Sequence, residues 1–325
     1  MTKISVVVPC FNEEAGIQEL VNRVVGVVEK LPSYEFEIML INDGSKDHTW
    51  EKISENVAKN PNITGVNLSK NHGHQIALTA GLSVCSGDLI FVMDADLQDP
   101  PELLPDMLKI MQEEQADVVY GQRRHRAGES FFKLITAKMF YRLLSSLTSV
   151  DIPVDTGDFR LMTRRVLNVF LNMPEHNRFI RGMISWIGFK QVPLLYDRDA
   201  RFCGETKYPL RKMIHLAVDA ITAFSIKPLR MGVMLGVFGC FVGVGILVYC
   251  LCSYFAGHVV SGWTSLLSAV VIMGSLQLFL IGLIGEYIGK IFIEAQNRPL
   301  FTIAEVKRSA SSSGKNDTNQ KHNDE

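Results

Sequence analysis

Two aspartates one residue apart follow an apolar run in the first third of the chain. The run occupies residues 88–93, and Asp94 and Asp96 come directly after it. Hard cations such as Mg²⁺ and Mn²⁺ prefer oxygen ligands and often share their coordination with substrate phosphates. A lone Asp-x-Asp also arises by chance in solvated loops, so the position of this pair at the end of a buried strand is what favours a site for a metal and a diphosphate.

Two more polar turns follow apolar runs that read as strands. Residues 9–13 end the first run of the chain, and residues 42–45 end the second. In a mainly parallel sheet the carboxyl ends of the strands lie at one edge, and ligands bind beyond that edge. The sequence therefore predicts that both turns lie beside Asp94 and Asp96.

Each turn also has a local interpretation, and both interpretations stay open at this point. Asn12 can cap the helix that follows it, and Ser45 and Asp47 can cap the next helix. Asp43 can instead accept a hydrogen bond from a nucleobase. The His-Gly-His run at residues 72–74 invites a metal interpretation, but two histidines one residue apart in a loop are more often plain polar surface.

The elements that position these residues follow from the hydrophobic pattern. Up to about residue 125, short β-branched runs alternate with helical spacing, which predicts an α/β domain with a mainly parallel sheet. The predicted strands are residues 4–8, 37–41, 63–68, 89–93 and 118–120, and the predicted helices are residues 14–29, 49–59, 74–85 and 102–114.

Two long segments in the C-terminal third carry no charged side chain. They are residues 231–256 and 263–285, and each exceeds the roughly 20 residues that a helix needs to cross a bilayer. Lysine and arginine lie before the first segment and after the second but not in the link between them, so the positive-inside rule puts both ends in the cytoplasm. We therefore expect a multi-pass protein of the inner (plasma) membrane. No secretory signal precedes the first strand, so we expect the N-terminal domain to stay in the cytosol.

The amino-acid composition agrees with a protein that contacts a lipid bilayer. Hydrophobic residues make up 47% of the 325, and the formal net charge of −1 gives no sign of a nucleic-acid partner. The six cysteines form no Cys-x-x-Cys pair, which argues against a zinc site or a disulfide framework. Residues 131–147 and 208–224 read as amphipathic helices on the bilayer surface, or, for the first, as a helix packed on the sheet. The tail from about residue 309 reads as disordered.

Taken together, the motifs resemble those of the inverting polyprenyl-phosphate glycosyltransferases with a GT-A fold. The resemblance is greatest to bactoprenol glucosyltransferases, relatives of the dolichyl-phosphate mannose synthases, and it covers roughly residues 3 to 305. The residues that carry it are 7–14 (VVPCFNEE), 42–47 (NDGSKD), 94–101 (DADLQDPP), 156–162 (TGDFRLM) and 285–289 (GEYIG). It implies a membrane enzyme that moves a sugar, glucose above all, from UDP to undecaprenyl phosphate for modification of an envelope polysaccharide such as O-antigen.

The resemblance also implies roles at the donor end of the site. Asp94, Asp96 and Gln98 would hold the Mg²⁺ or Mn²⁺ that bridges the donor diphosphate. The residues that would line the uridine and donor pocket are Pro9, Phe11, Glu13, Asp43, Ala95 and, nearby, Lys70.

Further roles implied by the resemblance concern the leaving group and the acceptor. Arg201 and Lys207 would close over the phosphates, although Thr206 stands where the family usually has serine before the lysine. Asp158 would act as a general base, or would position Arg160 or the acceptor. The candidates for the acceptor phosphate are Arg123, Arg124 and Arg160.

The expected organisation has three parts. Residues 1–228 form a cytosolic GT-A domain with its juxtamembrane helices, residues 229–290 the two-helix membrane region, and residues 291–325 a cytosolic C-terminal segment. The resemblance adds a homotetramer as the expected assembly.

Other functions fit the sequence less well. A processive polysaccharide synthase would carry Gln-x-x-Arg-Trp, and no Arg-Trp pair occurs in the chain. A dinucleotide-binding dehydrogenase would have Gly-x-Gly-x-x-Gly after the first strand, where this chain has none. Transfer of another sugar, such as an aminoarabinose derivative, and a non-catalytic scaffold for a lipid carrier stay open.

Overall fold

The computed structural model describes residues 1–124, 153, 156–197, 227–256 and 262–309. The described residues form two compact units. The sheet unit contains residues 1–124, 153, 156–197 and 299–309, and the helical unit contains residues 227–256 and 262–298.

The described part of the sheet unit is built on one eight-stranded sheet. Its strands are β1 (Thr2–Cys10), β2 (Tyr34–Asn42), β3 (Ile63–Leu68), β4 (Leu89–Val92), β5 (Val118–Arg123), β6 (Thr156–Thr163), β7 (Gln191–Tyr196) and β8 (Ile303–Arg308). Their order across the sheet is β7-β5-β6-β4-β1-β2-β3-β8. Strands β1 to β4 pair in parallel, β6 runs antiparallel to both β4 and β5, and β8 runs antiparallel to β3. This mixed, mostly parallel sheet confirms the predicted α/β class and contains all five predicted strands.

Helices cover the sheet and bury its apolar side chains. In the sheet unit they are α1 (Ile17–Val28), α2 (Thr49–Lys59), α3 (His74–Val84), α4 (Leu104–Glu113), α5 (Arg164–Leu171) and α6 (Ile180–Ile187). Helix α1 shows the expected pattern, because its buried side chains recur every three or four residues. At the start of α2, Asp47 Oδ1 accepts a hydrogen bond from the Thr49 backbone at 3.1 Å, which satisfies one of the free N–H groups there. Asp47 thus supports the start of α2 from one residue before its N-cap, His48, which itself makes no side-chain cap hydrogen bond.

Helix α3 lies very close to the centre of the sheet. A Cβ atom on Gly81 would come within 2.5 Å of the Ile41 side chain and 2.7 Å of the Val7 side chain, so only glycine allows this approach. Since β1 to β3 are parallel and α3 follows β3, the helix begins at their carboxyl edge. Its first two residues, His74 and Gln75, are thereby held at that edge.

The last described strand closes one side of the sheet. Strand β8 follows the helical unit in sequence and pairs with β3, with Val306 opposite Val66. The Lys307 ammonium lies 5.0 Å from the centre of the Trp50 ring and 3.1 Å from Ser54 Oγ on α2. This strand was not predicted from the sequence.

The helical unit consists of two helices in the described part, α7 (Lys227–Phe255) and α8 (Trp263–Gln296). They contain the two uncharged segments, and large apolar side chains such as Phe241 and Phe279 are exposed along them. In the described residues one stretch, Ile272–Gln296, is long and apolar enough to cross a membrane, and the apolar part of α7, Gly232–Ile246, is shorter. The predicted amphipathic helices at 131–147 and 208–224 and the predicted disordered tail beyond 309 lie outside the described residues.

Candidate active site

The turns after β1 and β2 meet at the carboxyl edge of the sheet. The Asn12 backbone N–H donates to Ser45 Oγ at 3.0 Å, and Asn12 Oδ1 accepts from the Lys46 backbone at 2.9 Å. Asn12 has a φ of 55°, a left-handed conformation that asparagine tolerates better than most residues. Asn12 therefore joins the two turns, and α1 begins later, at Ile17, with no side-chain cap.

Asp43 organises the loop that follows β3. Its Oδ1 accepts from the His72 backbone at 2.7 Å, and its Oδ2 accepts from the Gly73 backbone at 2.9 Å and from Asn71 Nδ2 at 3.0 Å. The loop approaches so closely that a Cβ atom on Gly44 would lie 2.4 Å from the Asn71 nitrogen. Both oxygens of the Asp43 carboxylate therefore already accept hydrogen bonds from the loop after β3, and they hold that loop at this edge.

The other candidates for donor binding differ in exposure. The Phe11 side chain is 43% exposed at the end of β1, which leaves its ring face available for stacking. Pro9 and Ala95 are buried, so they shape the floor of this edge, while Lys70 is exposed. Glu13 is half-buried, and its backbone donates to the Thr49 hydroxyl on α2 at 2.9 Å.

The loop after β4 carries the two predicted metal-binding aspartates. Strand β4 pairs with β1, so this loop lies beside the turn that contains Phe11. Asp96 Oδ1 accepts from the Gln98 backbone at 3.2 Å, and the buried Leu97 between them has a φ of 57°. A branched apolar residue in the left-handed region is strained, and such strain is concentrated at functional sites.

The chemistry of Asp94 fits a cation. Its Oδ1 is buried without a hydrogen-bond partner, and such an atom carries a desolvation cost that a cation would remove. Burial raises the pKa of Asp94 to about 6, and the negative charges of Asp158, Asp99 and Asp96 act in the same direction, against the effect of His74. Within the described ranges no three His, Cys, Asp or Glu side chains cluster as a complete metal site. An ion held by two carboxylates here would complete its coordination with substrate oxygens and water.

Asp158 on β6 is the centre of a buried polar network. Its Oδ2 accepts from Gln75 Nε2 at 2.8 Å and lies 3.1 Å from His74 Nε2, and its Oδ1 accepts from Arg181 Nε at 3.0 Å. His74 Nε2 also lies 3.5 Å from Asp94 Oδ1. The network therefore connects the β4 loop, the start of α3 and the first turn of α6.

The network bears on the two roles left open for Asp158, general base and positioning. Although burial acts in the opposite direction, the cations Arg181, His74 and Arg160 hold the pKa of Asp158 well below its usual range. A carboxylate with so low a pKa, and with three close donors, takes up a proton poorly. The geometry favours positioning over general base catalysis.

Arg160 and Arg123, two of the three residues predicted to bind the acceptor phosphate, both contact polar groups of the sheet unit. Arg160 is buried, and its guanidinium donates to the carbonyls of Gly157 at 3.1 Å and Asp158 at 3.3 Å, so it braces the backbone of β6. Arg123 NH2 lies 3.9 Å from the buried Asp99 carboxylate at the end of the loop after β4. Both guanidinium groups thus face polar groups of the protein itself.

A buried tyrosine completes the cluster at Asp99. Its hydroxyl, on Tyr196 of β7, donates to Asp99 Oδ1, and the backbone of Arg124 donates to the Tyr196 carbonyl at 2.9 Å. The Arg124 side chain is exposed. Of the three predicted acceptor residues, Arg124 is exposed, Arg123 is partly exposed at 21%, and Arg160 is buried.

Sequence reasoning missed Gln75 and Arg181 as members of the site, and it interpreted His74, in the run at residues 72–74, as more often plain polar surface. The signal for His74 and Gln75 was present, because they follow β3 just as the other turns follow their strands. Arg181 is an arginine between the buried residues Ile180 and Gly182, which is a weaker signal. Arg201 and Lys207 lie outside the described residues, and their roles stay predictions.

The fold and this edge of the sheet define a GT-A glycosyltransferase, and the chain belongs to glycosyl transferase family 2. The model of that family matches residues 5–171, and the model of the GtrB C-terminal hairpin matches residues 227–291. The first match contains all three turns and the Asp158 strand, and the second contains α7 and most of α8. The chain is therefore a transferase.

Several curated proteins are similar over nearly their whole length. An uncharacterized glycosyltransferase of Bacillus subtilis (strain 168), YkcC, is 45% identical over 92% of both chains. The prophage bactoprenol glucosyl transferase homolog of Escherichia coli (strain K12) is 38% identical, covering 94% of this chain and all of the other. The bactoprenol glucosyl transferase of Shigella phage SfV is 37% identical, covering 94% of this chain and 99% of the other. The resemblance found in the sequence motifs is confirmed.

Proposed function

We propose that this protein transfers glucose from UDP-glucose to undecaprenyl phosphate at the cytoplasmic face of the inner membrane. The observation that carries the proposal is the pair Asp94 and Asp96 at the end of β4, with one buried carboxylate oxygen of Asp94 lacking any hydrogen-bond partner. The relatives named bactoprenol glucosyl transferases, similar over almost the whole chain, support the lipid and the sugar. The product would supply glucose for an envelope polysaccharide such as O-antigen.

The donor would bind across the turns at the carboxyl edge. The exposed ring of Phe11 would stack on uracil, and the loop organised by Asp43 would limit the size of the base. Asp94 and Asp96, with Gln98, would hold Mg²⁺ or Mn²⁺. When bound, the ion stabilises the negative charge that develops on the departing UDP.

The acceptor needs no proton removed by the protein. A phosphate monoester has a second pKa of about 6 and is largely dianionic near neutral pH. Its oxygen can attack the anomeric carbon directly, and a single displacement inverts that carbon. The low pKa of Asp158 agrees with this mechanism, because the reaction gives that carboxylate no proton to accept. Arg201 and Lys207 would add positive charge near the leaving group.

Two membrane crossings are favoured by the connectivity of the sheet. Strands β1 to β7 precede α7, and β8 follows α8, yet β8 hydrogen-bonds to β3 in the same sheet. Strands of one sheet lie on one side of a bilayer, so the intervening chain crosses an even number of times. Helix α8 contains a stretch long enough to cross, and the uncharged segment of α7 would supply the second crossing.

We also propose a homotetramer. Gly239 and Gly243 of α7, four residues apart, each have open space where a Cβ atom would stand. Small residues at such spacing allow helices of separate subunits to approach closely in a membrane. The molar mass of the protein in detergent, measured by light scattering with the detergent contribution subtracted, tests this assembly.

The decisive experiment is transfer by the purified full chain. The protein in detergent is incubated with undecaprenyl phosphate, Mg²⁺ or Mn²⁺ and each of several UDP-sugars, and the lipid product is identified by mass spectrometry. We expect a lipid-linked hexose from UDP-glucose. Product from a different UDP-sugar alone would show that this sugar, and not glucose, is the one transferred. Absence of product with every donor would contradict the proposal.

A matched pair of variants tests the metal site. Asp96→Asn should abolish transfer and leave the melting temperature within a few degrees of wild type, because it removes a ligand charge from a half-buried position. Asp106→Asn is the control, since Asp106 is exposed on the first turn of α4. Near-normal transfer by Asp96→Asn would refute the assignment of this loop to the metal.

A further inference from the structure

A buried carboxylate ends the loop after β4. Asp99 is fully buried, and its Oδ1 accepts a hydrogen bond from the Tyr196 hydroxyl on β7. Arg123 NH2, on β5, lies 3.9 Å from the same oxygen. A buried ionised carboxylate is costly unless it is paired and hydrogen-bonded. The two contacts therefore tie the end of this loop to β5 and β7, which lie beyond β6 in the sheet.

The Tyr196 ring is itself held in place. Its centre lies 5.6 Å from the ring centre of Phe159 on β6, which in turn lies 5.3 Å from the ring centre of Phe91 on β4. A Cβ atom on Gly121 of β5 would come within 2.8 Å of the Tyr196 ring and 2.5 Å of the Phe159 ring, so the rings fill the space over β5. Because the ring is packed in this way, the Tyr196 hydroxyl is a fixed point against which Asp99 is placed.

The Tyr196 hydroxyl keeps its proton. Burial and the negative charge of Asp99 raise the pKa of Tyr196 above its ordinary value, although Arg123 acts in the opposite direction. Near neutral pH the hydroxyl is therefore a donor, and its bond to the Asp99 carboxylate is charge-assisted, which makes it stronger than a bond between neutral groups.

The segment between the predicted cation ligands and Asp99 is short and strained. Leu97 is buried and has a φ of 57°, and a branched residue keeps such a conformation only where its surroundings impose it. Asp99 follows only two residues later, so its contacts oppose the relaxation of Leu97. Relaxation would reorient the chain on both sides of residue 97. It would also break the bond from the Gln98 backbone to Asp96 Oδ1 and turn Asp96 relative to Asp94.

We propose that Tyr196 is a positioning residue for the cation site. Through Asp99 it holds the loop after β4 in the strained conformation in which Asp94 and Asp96 can bind one cation together. The inference rests on the proposed function for the presence of that cation. It gives a role in the site to the end of β7, a strand that was not predicted from the sequence.

Removal of one hydroxyl group tests this role. Binding of Mn²⁺ to the purified full chain in detergent, without donor or acceptor, is followed by electron paramagnetic resonance. In Tyr196→Phe the dissociation constant for Mn²⁺ should rise by about tenfold, because the left-handed strain at Leu97 is enough to shift a conformational equilibrium by about that factor. Tyr34→Phe is the matched control. The Tyr34 hydroxyl accepts from Gln112 Nε2 at 3.0 Å at an exposed site, so its loss should leave the constant unchanged.

A second control separates positioning from a general loss of stability. Phe36 is buried near the start of β2, at the edge of the sheet opposite to the loop after β4. Phe36→Leu should therefore lower the melting temperature but leave the Mn²⁺ dissociation constant unchanged at a temperature well below melting. In transfer assays, Tyr196→Phe should need about tenfold more Mn²⁺ for half-maximal rate, while its rate at saturating Mn²⁺ stays near that of wild type.

Two results would overturn the inference. One is an unchanged Mn²⁺ dissociation constant in Tyr196→Phe. The other is an equal rise in Phe36→Leu, which would show that any loss of stability weakens the site. Failure of the proposed function looks different, because wild type would then transfer no sugar to undecaprenyl phosphate, while its Mn²⁺ binding would still depend on Tyr196. A wild type that binds no Mn²⁺ would overturn both the metal assignment and the inference.

Discussion

Replacing Asp158 with asparagine should mainly lower the stability of the protein and affect the chemical step less. The carboxylate receives close hydrogen bonds from Gln75, His74 and Arg181, and the substitution removes its charge and turns one acceptor oxygen into a donor. At least one of these bonds is lost, whichever oxygen becomes the amide nitrogen, and the cations Arg160, Arg181 and His74 lose their counter-ion. Breaking a buried ion pair by removing one partner costs about 3–5 kcal/mol. For a unit of this size that corresponds to a fall in melting temperature of about 10 °C.

The assay compares unfolding and turnover in the same preparations. Thermal unfolding of Asp158→Asn in detergent is measured beside Asp117→Asn, whose arginine partner Arg165 is largely exposed and which should cost only about 1 kcal/mol. Transfer is then measured from pH 5.5 to 9 well below the melting temperature. Positioning predicts reduced transfer with an unchanged pH profile. A melting temperature equal to wild type, with transfer lowered by about 10²–10⁴ and an altered pH profile, would show that Asp158 is a general base and refute the reasoning.

Three further substitutions or conditions have defined outcomes. In a urea titration, Gly44→Ala should lower the free energy of unfolding by about 3 kcal/mol, because the new Cβ would clash with the loop after β3 at a φ of 60°. Gly188→Ala is the control in the same titration. It also has a positive φ, but its nearest contact is at 3.8 Å, so it should lower the free energy of unfolding by only about 1 kcal/mol. Mn²⁺ affinity, followed by electron paramagnetic resonance, should weaken as the pH falls below about 6, since protons then compete for Asp94; a constant affinity down to pH 5 would contradict that role. Although burial opposes it, the bond from Lys3 and those from two serines lower the pKa of Glu37 from 4.5 to about 2. Above pH 4.5 that carboxylate therefore contributes about 3 kcal/mol to the free energy of unfolding, and this contribution is lost as the pH falls towards 2. Glu37→Gln should remove the contribution at pH 7 and make the free energy of unfolding depend less on pH between 4.5 and 2.

The first half of the fold could be predicted because its pattern is local. Central strands such as β1 are buried on both faces, so they appear as continuous apolar runs, and α2 was predicted with its observed ends. Strands β6 and β8 escaped prediction for a physical reason. Each pairs antiparallel with a strand distant in sequence. In addition, β8 is a mostly exposed edge strand in which charged residues interrupt the alternation of apolar and polar side chains.

The site was predictable to the extent that it follows strand ends. The turns at Asn12 and Asp43 and the pair at Asp94 lie together because parallel strands end at one edge. The partners of Asp158 could not be found in this way. Arg181 reaches it from a helix whose position depends on tertiary packing, and the burial of Arg160 is a property of β6 as an inner strand.

Strand β8 limits how the chain can be shortened. A fragment that ends before α7, made to obtain a lipid-free enzyme, would also lose the strand that covers β3, along with the Lys307 contact to Trp50 and the bond from Ser69 to the Thr302 carbonyl. The uncovered edge of β3 would favour aggregation. It also borders the loop after β3, which Asp43 holds in place. A usable fragment must therefore restore residues 299–308, by a linker in place of the two helices or as a separate peptide that rebuilds the edge.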